Sequence, residues 1–265
     1  MRNTILGILL VLSLFSGLGF AGWYAVKKDI AAQAVYQLDA SRITVPERPP
    51  WVPADFIETA LRNSNLAAES FLLDKDLPHK LSQAFAASPW AEDVEQVRLQ
   101  YPSGAVVRLT YRVPAALVDV SPRGSFPVDR NGVLLPTEYF IALAPDKMKE
   151  YLQIRGIHSS PLGAAGTLWG DPLVHDAAGL AGYISDVAAK LKIAEIVPFP
   201  QQTPTGSKVF CKLITENSTE ILWGRFEPDD PKNEARKKHL LELAELYRSL
   251  DDIPKNFQPV DLTKE

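Results

Sequence analysis

Histidines are the side chains in this sequence best suited to binding a metal ion. They are His79, His158, His175 and His239, and they lie far apart along the chain. Only Asp171 and His175 have the i, i+4 spacing that places two side chains on one helical face. Because two ligands leave the coordination sphere of zinc unfilled, we predict no metal site. We expect this pair to cap or flank the start of a helix instead.

The single cysteine, Cys211, is the next candidate for chemistry. One cysteine cannot form a disulfide within the chain, so it does not identify the redox compartment. Reactive thiols need an exposed, electropositive setting, whereas Cys211 lies in the apolar run from Val209 to Ile214. We therefore predict a buried and inert thiol.

Adjacent carboxylates and tryptophans complete the set of candidate site residues. Glu92-Asp93 and Asp229-Asp230 would act as acids or bases only in a cleft that perturbs their ionisation, and we expect them in solvated turns and caps. The segment Gly163 to Gly166 lacks the Lys-Ser/Thr ending of a phosphate-binding loop, and no G-x-S-x-G motif occurs. Core packing is predicted, because an indole buries a large apolar area, for Trp51, Trp90, Trp169 and Trp223. The sequence thus predicts no catalytic residue and no cofactor.

The composition is that of a folded protein. The chain has 265 residues, of which 46% are hydrophobic, which is enough for one or two domains and excludes disorder throughout. Its formal net charge of -4 gives no electrostatic reason to expect nucleic acid as a partner.

The N-terminal segment from Ile5 to Val26 is uncharged and mostly apolar. As a helix rising ~1.5 Å per residue it would span ~33 Å, enough to cross a bilayer. We therefore predict a transmembrane anchor with Trp23 and Tyr24 at the membrane interface. The small residues in Gly19-Phe20-Ala21 also fit a signal-peptidase site, so a cleaved signal peptide is the alternative.

Charge does not decide the topology of this segment. Lys27 and Lys28 follow it, whereas only Arg2 and the amino terminus precede it. An anchor with a cytoplasmic N-terminus, or a cleaved signal peptide, would place the rest of the chain outside the cytoplasm. If the lysines set the orientation, the body would be cytoplasmic.

The clearest strand pattern lies between Ser88 and Val120, where apolar and polar residues alternate on both sides of a turn at Pro102-Ser103-Gly104. The apolar members are Val97, Leu99, Tyr101, Val107, Leu109, Tyr111 and Val113. A hairpin with one apolar face must bury that face, and the amphipathic segment from Asp76 to Ala87 provides a helix to cover it. We predict a small helix-on-sheet module.

Strand and helix patterns extend on both sides of this module. Upstream, Val45 to Pro53 contains four prolines, which excludes a helix and favours a stiff spacer or an edge segment. Downstream, Asn131-Gly132 predicts a turn with positive φ. Helices are predicted at Phe56 to Leu61, Pro172 to Leu191 and Asn233 to Leu250. Strands are predicted at Leu117 to Val120, Tyr151 to Ile157, Ile193 to Phe199, Val209 to Ile214, Glu220 to Trp223 and Val260 to Leu262.

Three pieces of this sequence resemble the FtsQ/DivIB family of bacterial cell-division proteins. Pro89-Trp90 with Val94, Val97, Tyr101-Pro102 and Val113-Pro114-Ala115 is similar to the family's P-W-V, Y-P and R-x-P-x-A signature. The run Phe126 to Val133 resembles its V-D-x-x-G segment. The order of Glu220 to Arg225, a long helix and Val260-Asp261-Leu262 resembles the family's final strand, helix and D-L strand.

The resemblance implies an α+β chain with an N-terminal transmembrane helix, a POTRA-like domain and a mostly antiparallel β domain with flanking helices. The implied divisions are an anchor at 1–28, a Pro-rich spacer or edge segment at 29–54, the POTRA-like domain at 55–122 and the β domain at 123–265. The Pro-rich stretch replaces the family's usual V-x-G start, so the first POTRA strand is not identifiable from the sequence.

The resemblance also implies a non-enzymatic scaffold that binds other division proteins at the septum, anchored in the cell inner membrane with a cytoplasmic N-terminus and an extracytoplasmic body. Its partners would be small bitopic coiled-coil proteins that add a strand to an edge formed by Phe257, Val260, Asp261 and Leu262. The alternative is that Val260 and Leu262 only close the sheet as its last internal strand. A different functional class is an exported POTRA-type binding or chaperone-like module in envelope transport, and an envelope hydrolase is a third.

Overall fold

A computed structural model describes residues 13–20, 22–23, 34–66, 70–141, 148, 150–204, 206–254 and 259–263. The chain forms two compact units, Met1–Thr110 and Tyr111–Glu265. This division lies earlier than the expected boundary after residue 122, because the strand at Pro114–Asp119 belongs to the sheet of the second unit.

The predicted membrane anchor is corrected by the structure. Residues 13–20 and 22–23 are helical, but no helix in the described part of the chain has the length and apolar character needed to cross a membrane. The prediction of a single-pass protein of the cell inner membrane is therefore wrong. Trp23 is 69% exposed, and Tyr24 lies outside the described residues.

The first unit is a small helix-on-sheet module. Its strands are β1 (Ile43–Thr44), β2 (Ala91–Gln100) and β3 (Gly104–Tyr111), and its helices are α1 (Phe56–Asn63) and α2 (Leu77–Ala86), with 3-10 turns at Ala34–Tyr36 and Ala40–Arg42. The strand order is β1-β3-β2, and β1 runs parallel to β3. The predicted helix and hairpin are confirmed. β1 ends just before the Pro-rich stretch, in which Val52 is only 1% exposed.

The second unit is built on one mixed sheet of seven strands. Its strands are β4 (Pro114–Asp119), β5 (Ser125–Asp129), β6 (Leu152–Ile154), β7 (Ile193–Thr203), β8 (Gly206–Thr215), β9 (Glu220–Gly224) and β10 (Val260–Asp261). Its helices are α3 (Glu138–Ile141), α4 (Pro172–Ala188) and α5 (Lys232–Leu246), with a 3-10 turn at Leu250–Asp252.

The strand order in this sheet is β10-β9-β8-β7-β6-β4-β5. The pairs β4–β6, β6–β7 and β9–β10 are parallel, so the expectation of a mostly antiparallel domain is wrong. The reason lies in the connections, because α4 links β6 to β7 and α5 links β9 to β10. A helical crossover of this kind returns the chain in the same direction.

Helix α4 supplies the centre of the second core. Asp171 is its N-cap and accepts a hydrogen bond from the Leu173 N–H at 2.9 Å, while Pro172 occupies the first turn, where a missing N–H costs nothing. The buried side chains of α4 are Val174, Ala177, Ala178, Leu180, Ala181, Ile184, Val187 and Ala188. They pack against the sheet together with buried Trp169 and Trp223.

The carboxylate of Asp129, at the end of β5, organises the turn that follows. It is 2% exposed, and its Oδ1 accepts hydrogen bonds from the backbone N–H groups of Asn131 and Val133, both at 2.9 Å. Its Oδ2 accepts a charged bond from Arg112 Nη1 at 2.6 Å. Gly132 has φ +70°, which confirms the predicted turn, and a Cβ there would lie 3.1 Å from the Cα of His175 in α4.

Removing the Asp129 carboxylate is expected to destabilise the second unit strongly. Asp129→Ala removes the buried carboxylate that pairs with Arg112 and the acceptor of two turn amides, so we expect a loss of about 3–5 kcal/mol in the free energy of unfolding. Asp129→Asn keeps an oxygen for the turn and should cost less. Urea unfolding of both variants measures the difference.

The control for this experiment is Arg155→Ala. Arg155 bridges Asp119 and Glu195 at 3.1 and 2.7 Å, but it is 49% exposed. Solvent screening should limit the loss to about 1 kcal/mol or less. Equal losses for Asp129→Ala and Arg155→Ala would contradict a special role for the Asp129 turn.

Candidate functional site: the C-terminal sheet edge

Polar side chains connect helix α5 to α4. The Tyr183 hydroxyl donates to Glu234 Oε1 at 2.5 Å, and Lys237 Nζ donates to both carboxylate oxygens of Asp186 at 2.8 and 2.9 Å. Lys237 Nζ also lies 5.1 Å from the centre of the Tyr183 ring. Burial and the bond to Glu234 raise the pKa of Tyr183, so this phenol stays protonated and keeps donating.

The connection from β9 to α5 is also fixed by side chains. Asn233, which is 1% exposed, donates from Nδ2 to the carbonyl of Glu227 at 2.6 Å. Arg236 donates to the carbonyl of Arg225 at 2.8 Å. Because these side chains satisfy carbonyls of the connecting loop, the start of α5 has a defined position beside the end of β9.

Strand β10 is the last strand of the seven-stranded sheet at this side. It pairs in parallel with β9, with Val260 opposite Ile221 and Asp261 opposite Leu222. The Leu262 N–H donates to the carbonyl of Leu222 at 3.0 Å. In a parallel pair the main-chain groups of successive residues point to alternate sides, so the main chain of Asp261 faces the outer side.

Side chains on either side of Asp261 fasten the strand to the core. Leu262 is 5% exposed and belongs to the core of the second unit, against which Val260 also packs. The strand ends at Thr263, whose N–H and hydroxyl donate to Asp261 Oδ1 at 2.9 and 2.6 Å. Gly224 makes room for this end, because a Cβ at that position would lie 2.5 Å from Thr263 Cγ2.

The structure therefore brings three of the four expected partner-binding residues together at one edge. Val260 and Asp261 are half-buried, Leu262 is buried, and Phe257 lies outside the described residues. Within the described residues, β10 has a strand neighbour on one side only, and Val260 and Leu262 pack against the core there.

Two features of the second unit were missed from the sequence. Leu246, near the end of α5, is 73% exposed. It could have been found, since it falls outside the spacing of the apolar face that runs through Leu240, Leu243 and Tyr247. The second is Gly224, which has φ +92°, and only its contact with Thr263 reveals its role.

The residues with potential for catalysis have structural roles in the second unit. Asp171 caps α4 and accepts a bond from the Ser159 hydroxyl at 2.5 Å, and His175 Nδ1 lies 3.0 Å from the carbonyl of Asn131. Cys211 is buried as predicted, and burial, followed by the charge of Asp176, raises the pKa of its thiol to about 12. Within the described ranges, no group of three His, Cys, Asp or Glu side chains is arranged to hold a metal ion.

The predicted core role of the tryptophans is confirmed for Trp90, Trp169 and Trp223, which are buried, while Trp51 is half-buried. A cleft of about 500 Å³ lies beside the end of α4 and the start of β7. Its charged lining residues are Glu150, Lys192 and Glu216. Ser185 of α4 also lines this cleft. Its hydroxyl donates to the carbonyl of Gly182 at 2.8 Å, whereas a nucleophilic serine would donate to a general base.

Comparison with known proteins does not assign this chain to a family. No protein-family model matches the sequence, and no curated protein matches it.

Substitution of Gly224 is expected to loosen β10. Gly224→Ala places a methyl group 2.5 Å from Thr263 Cγ2 at a residue whose φ of +92° already disfavours a side chain. Hydrogen exchange of the Leu262 amide should become at least about tenfold faster, because displacement of β10 breaks its bond to Leu222.

The matched control is Gly206→Ala, which has φ +112° but nothing within 4 Å of the added methyl group. It carries the backbone strain without the contact. If both variants accelerated the Leu262 amide equally, strain alone would explain the effect and the packing of Thr263 on Gly224 would not hold β10 in place.

Two acidic residues of α4 are expected to respond oppositely to neutralisation. Burial raises the pKa of Asp176 above its ordinary 3.8, so its charged form is disfavoured in the fold. The stability it contributes is present below pH 3.8 and is lost as the pH rises through the folded pKa. Asp176→Asn should therefore increase the free energy of unfolding at pH 7, and this gain should disappear below pH 3.8.

Asp186 provides the comparison. The hydrogen bond from Lys237 lowers the pKa of Asp186, so its stabilising effect is present above pH 3.8 and is lost as the pH falls through the folded value. Asp186→Asn should reduce stability at pH 7. Urea unfolding at pH 7 and pH 3.5 tests both, and a loss of stability at pH 7 for Asp176→Asn would contradict the assignment.

Proposed function

We propose that this chain is a non-enzymatic scaffold of the bacterial cell-division machinery that binds other division proteins through the edge strand β10. The proposal starts from the resemblance of Pro89 to Ala115, Phe126 to Val133 and Glu220 to Leu262 to the FtsQ/DivIB family. The expected partners are small coiled-coil division proteins that supply one extended segment.

The observation that carries the proposal is the construction of β10. Its two neighbouring side chains, Val260 and Leu262, pack on the core while the main chain of Asp261 faces the outer side. A strand at the edge of a sheet can accept an added strand, because main-chain hydrogen bonds provide affinity and flanking side chains provide specificity.

The chemistry of the described residues supports a binding role over an enzymatic one. Cys211 has a raised pKa and is inaccessible, and Asp171 and His175 serve the start of α4. One of the three pieces of the family resemblance, Phe126 to Val133, falls on a structural feature, since Asp129 and Gly132 build a turn. Protein binding needs only the surface that β10 and α5 provide.

Asp261→Pro tests the binding edge directly. Proline removes the main-chain donor of Asp261, and its fixed φ remains compatible with an edge strand. We expect co-purification of coiled-coil division proteins to fall at least about tenfold, because a main-chain hydrogen bond to the partner and those beside it are lost. Cells that rely on this variant should form filaments. Asp261→Asn preserves the main chain and should behave as the wild type.

Two outcomes would contradict the proposal at different levels. Cells that divide normally after depletion of the protein, with a fluorescent fusion that never reaches mid-cell, would exclude a role in division. If Asp261→Pro recruited its partners as the wild type does, the role in division could stand but the binding surface would lie elsewhere. Circular dichroism of both variants checks that each is folded.

A further inference from the structure

Sheet edges in the described part of the chain are mostly short or covered. β1 and β10 have two residues each, and the outer side of β5 is covered by the returning chain, where Leu135 donates to the carbonyl of Pro127. Where β7 extends beyond its pairing with β6, Pro198 and Pro200 lack main-chain donors. Proteins use such features to prevent unwanted strand pairing.

Strand β2 is neither short nor interrupted by proline. It has ten residues without proline or glycine and ends the first sheet, where β3 is its neighbour. In the described ranges no other strand pairs with its second side. An edge of this length presents a row of main-chain groups to which a further strand can bond.

Exposure along β2 is symmetric about the bond between Glu95 and Gln96. Both residues are exposed. Moving along the strand away from this bond in either direction, the next residue is a half-buried valine and the one after it, Asp93 or Arg98, is exposed again. Two exposed neighbours shift the alternation by one residue. Asp93 and Arg98 therefore lie on the same face of β2, whereas strict alternation would place them on opposite faces.

We propose that β2 pairs in antiparallel orientation with β2 of a second copy of this chain, around a two-fold axis at the Glu95–Gln96 bond. The facing pairs, each formed twice, are then Asp93 with Arg98, Val94 with Val97 and Glu95 with Gln96. Opposite charges and β-branched residues that face each other across strands are stabilising. No like charges stand directly opposite in this arrangement.

The charge pattern favours this partner over other arrangements of the same edge. In a parallel, in-register pair Asp93, Glu95 and Arg98 would each face its own copy, which is repulsive. In the antiparallel pair the acidic half of one strand meets Arg98 of the other. One pair of strands buries less than the ~1,200 Å² of standard stable interfaces, so the dimer is reversible and depends on concentration.

A charge exchange between two variants tests the proposal. Arg98→Asp leaves only acidic charges on the solvent face of β2, and Asp93→Arg leaves basic charges flanking Glu95. Sedimentation equilibrium of the full chain at low salt should show dimer for the wild type and at least about tenfold weaker association for either variant alone, since both symmetric pairs become repulsive. An equimolar mixture of the two variants should regain dimer, because each pair is again of opposite charge.

Arg108→Asp is the matched control, since Arg108 is an exposed arginine on β3, the inner neighbour of β2. It should associate as the wild type does, and circular dichroism should be the same for all variants. Failure of the mixture to regain dimer would overturn the proposal, as would an equal effect of Arg98→Asp and Arg108→Asp. A wild-type chain that stayed monomeric yet bound an extended peptide at β2 would also overturn self-pairing.

Discussion

The buried carboxylate of Asp129 is the interaction on which the arrangement of the second unit depends most. A charge that is 2% exposed is tolerable only when it is paired and fully hydrogen-bonded, and here Arg112 and two turn amides meet that condition. The turn sends the chain back along β5 and brings Gly132 against α4. The Asp129 carboxylate therefore fixes a turn whose returning chain pairs with β5 and whose Gly132 packs against α4.

The opposite side of the same sheet is held in a different way. Helix α5 buries Asn233 and Leu240 and packs further apolar side chains partly against the core, while Tyr183 and Lys237 connect it to the neighbouring helix through polar contacts. β10 follows this helix and adds Leu262 to the core. The position of β10 therefore depends on both the apolar and the polar contacts of α5.

Local pattern predicted the longer helices and strands of the chain but neither β1 and α3 nor the assembly of the sheet. The periodicity of Pro172 to Leu191 and the Asn131-Gly132 turn signal both identified real features, because a helix face and a positive φ are local properties. The parallel pairing of β4, β6 and β7 arises from a crossover between distant segments. The length of apolar sequence after Ile5 likewise predicted an anchor, although the described helix there covers residues 13–20 and 22–23.

The candidate site was also only partly predictable from the sequence. The sequence was sufficient to place Val260, Asp261 and Leu262 on one strand. It did not show which of them packs on the core and which has its main chain on the outer side, because that depends on the pairing of β10 with β9. The β2 edge was hidden for a similar reason, since the shift in alternation at Glu95 and Gln96 cannot be seen from residue type. An acidic and a basic residue five positions apart belong on opposite faces of a regular strand, and only the irregular strand makes Asp93 and Arg98 partners for a second copy.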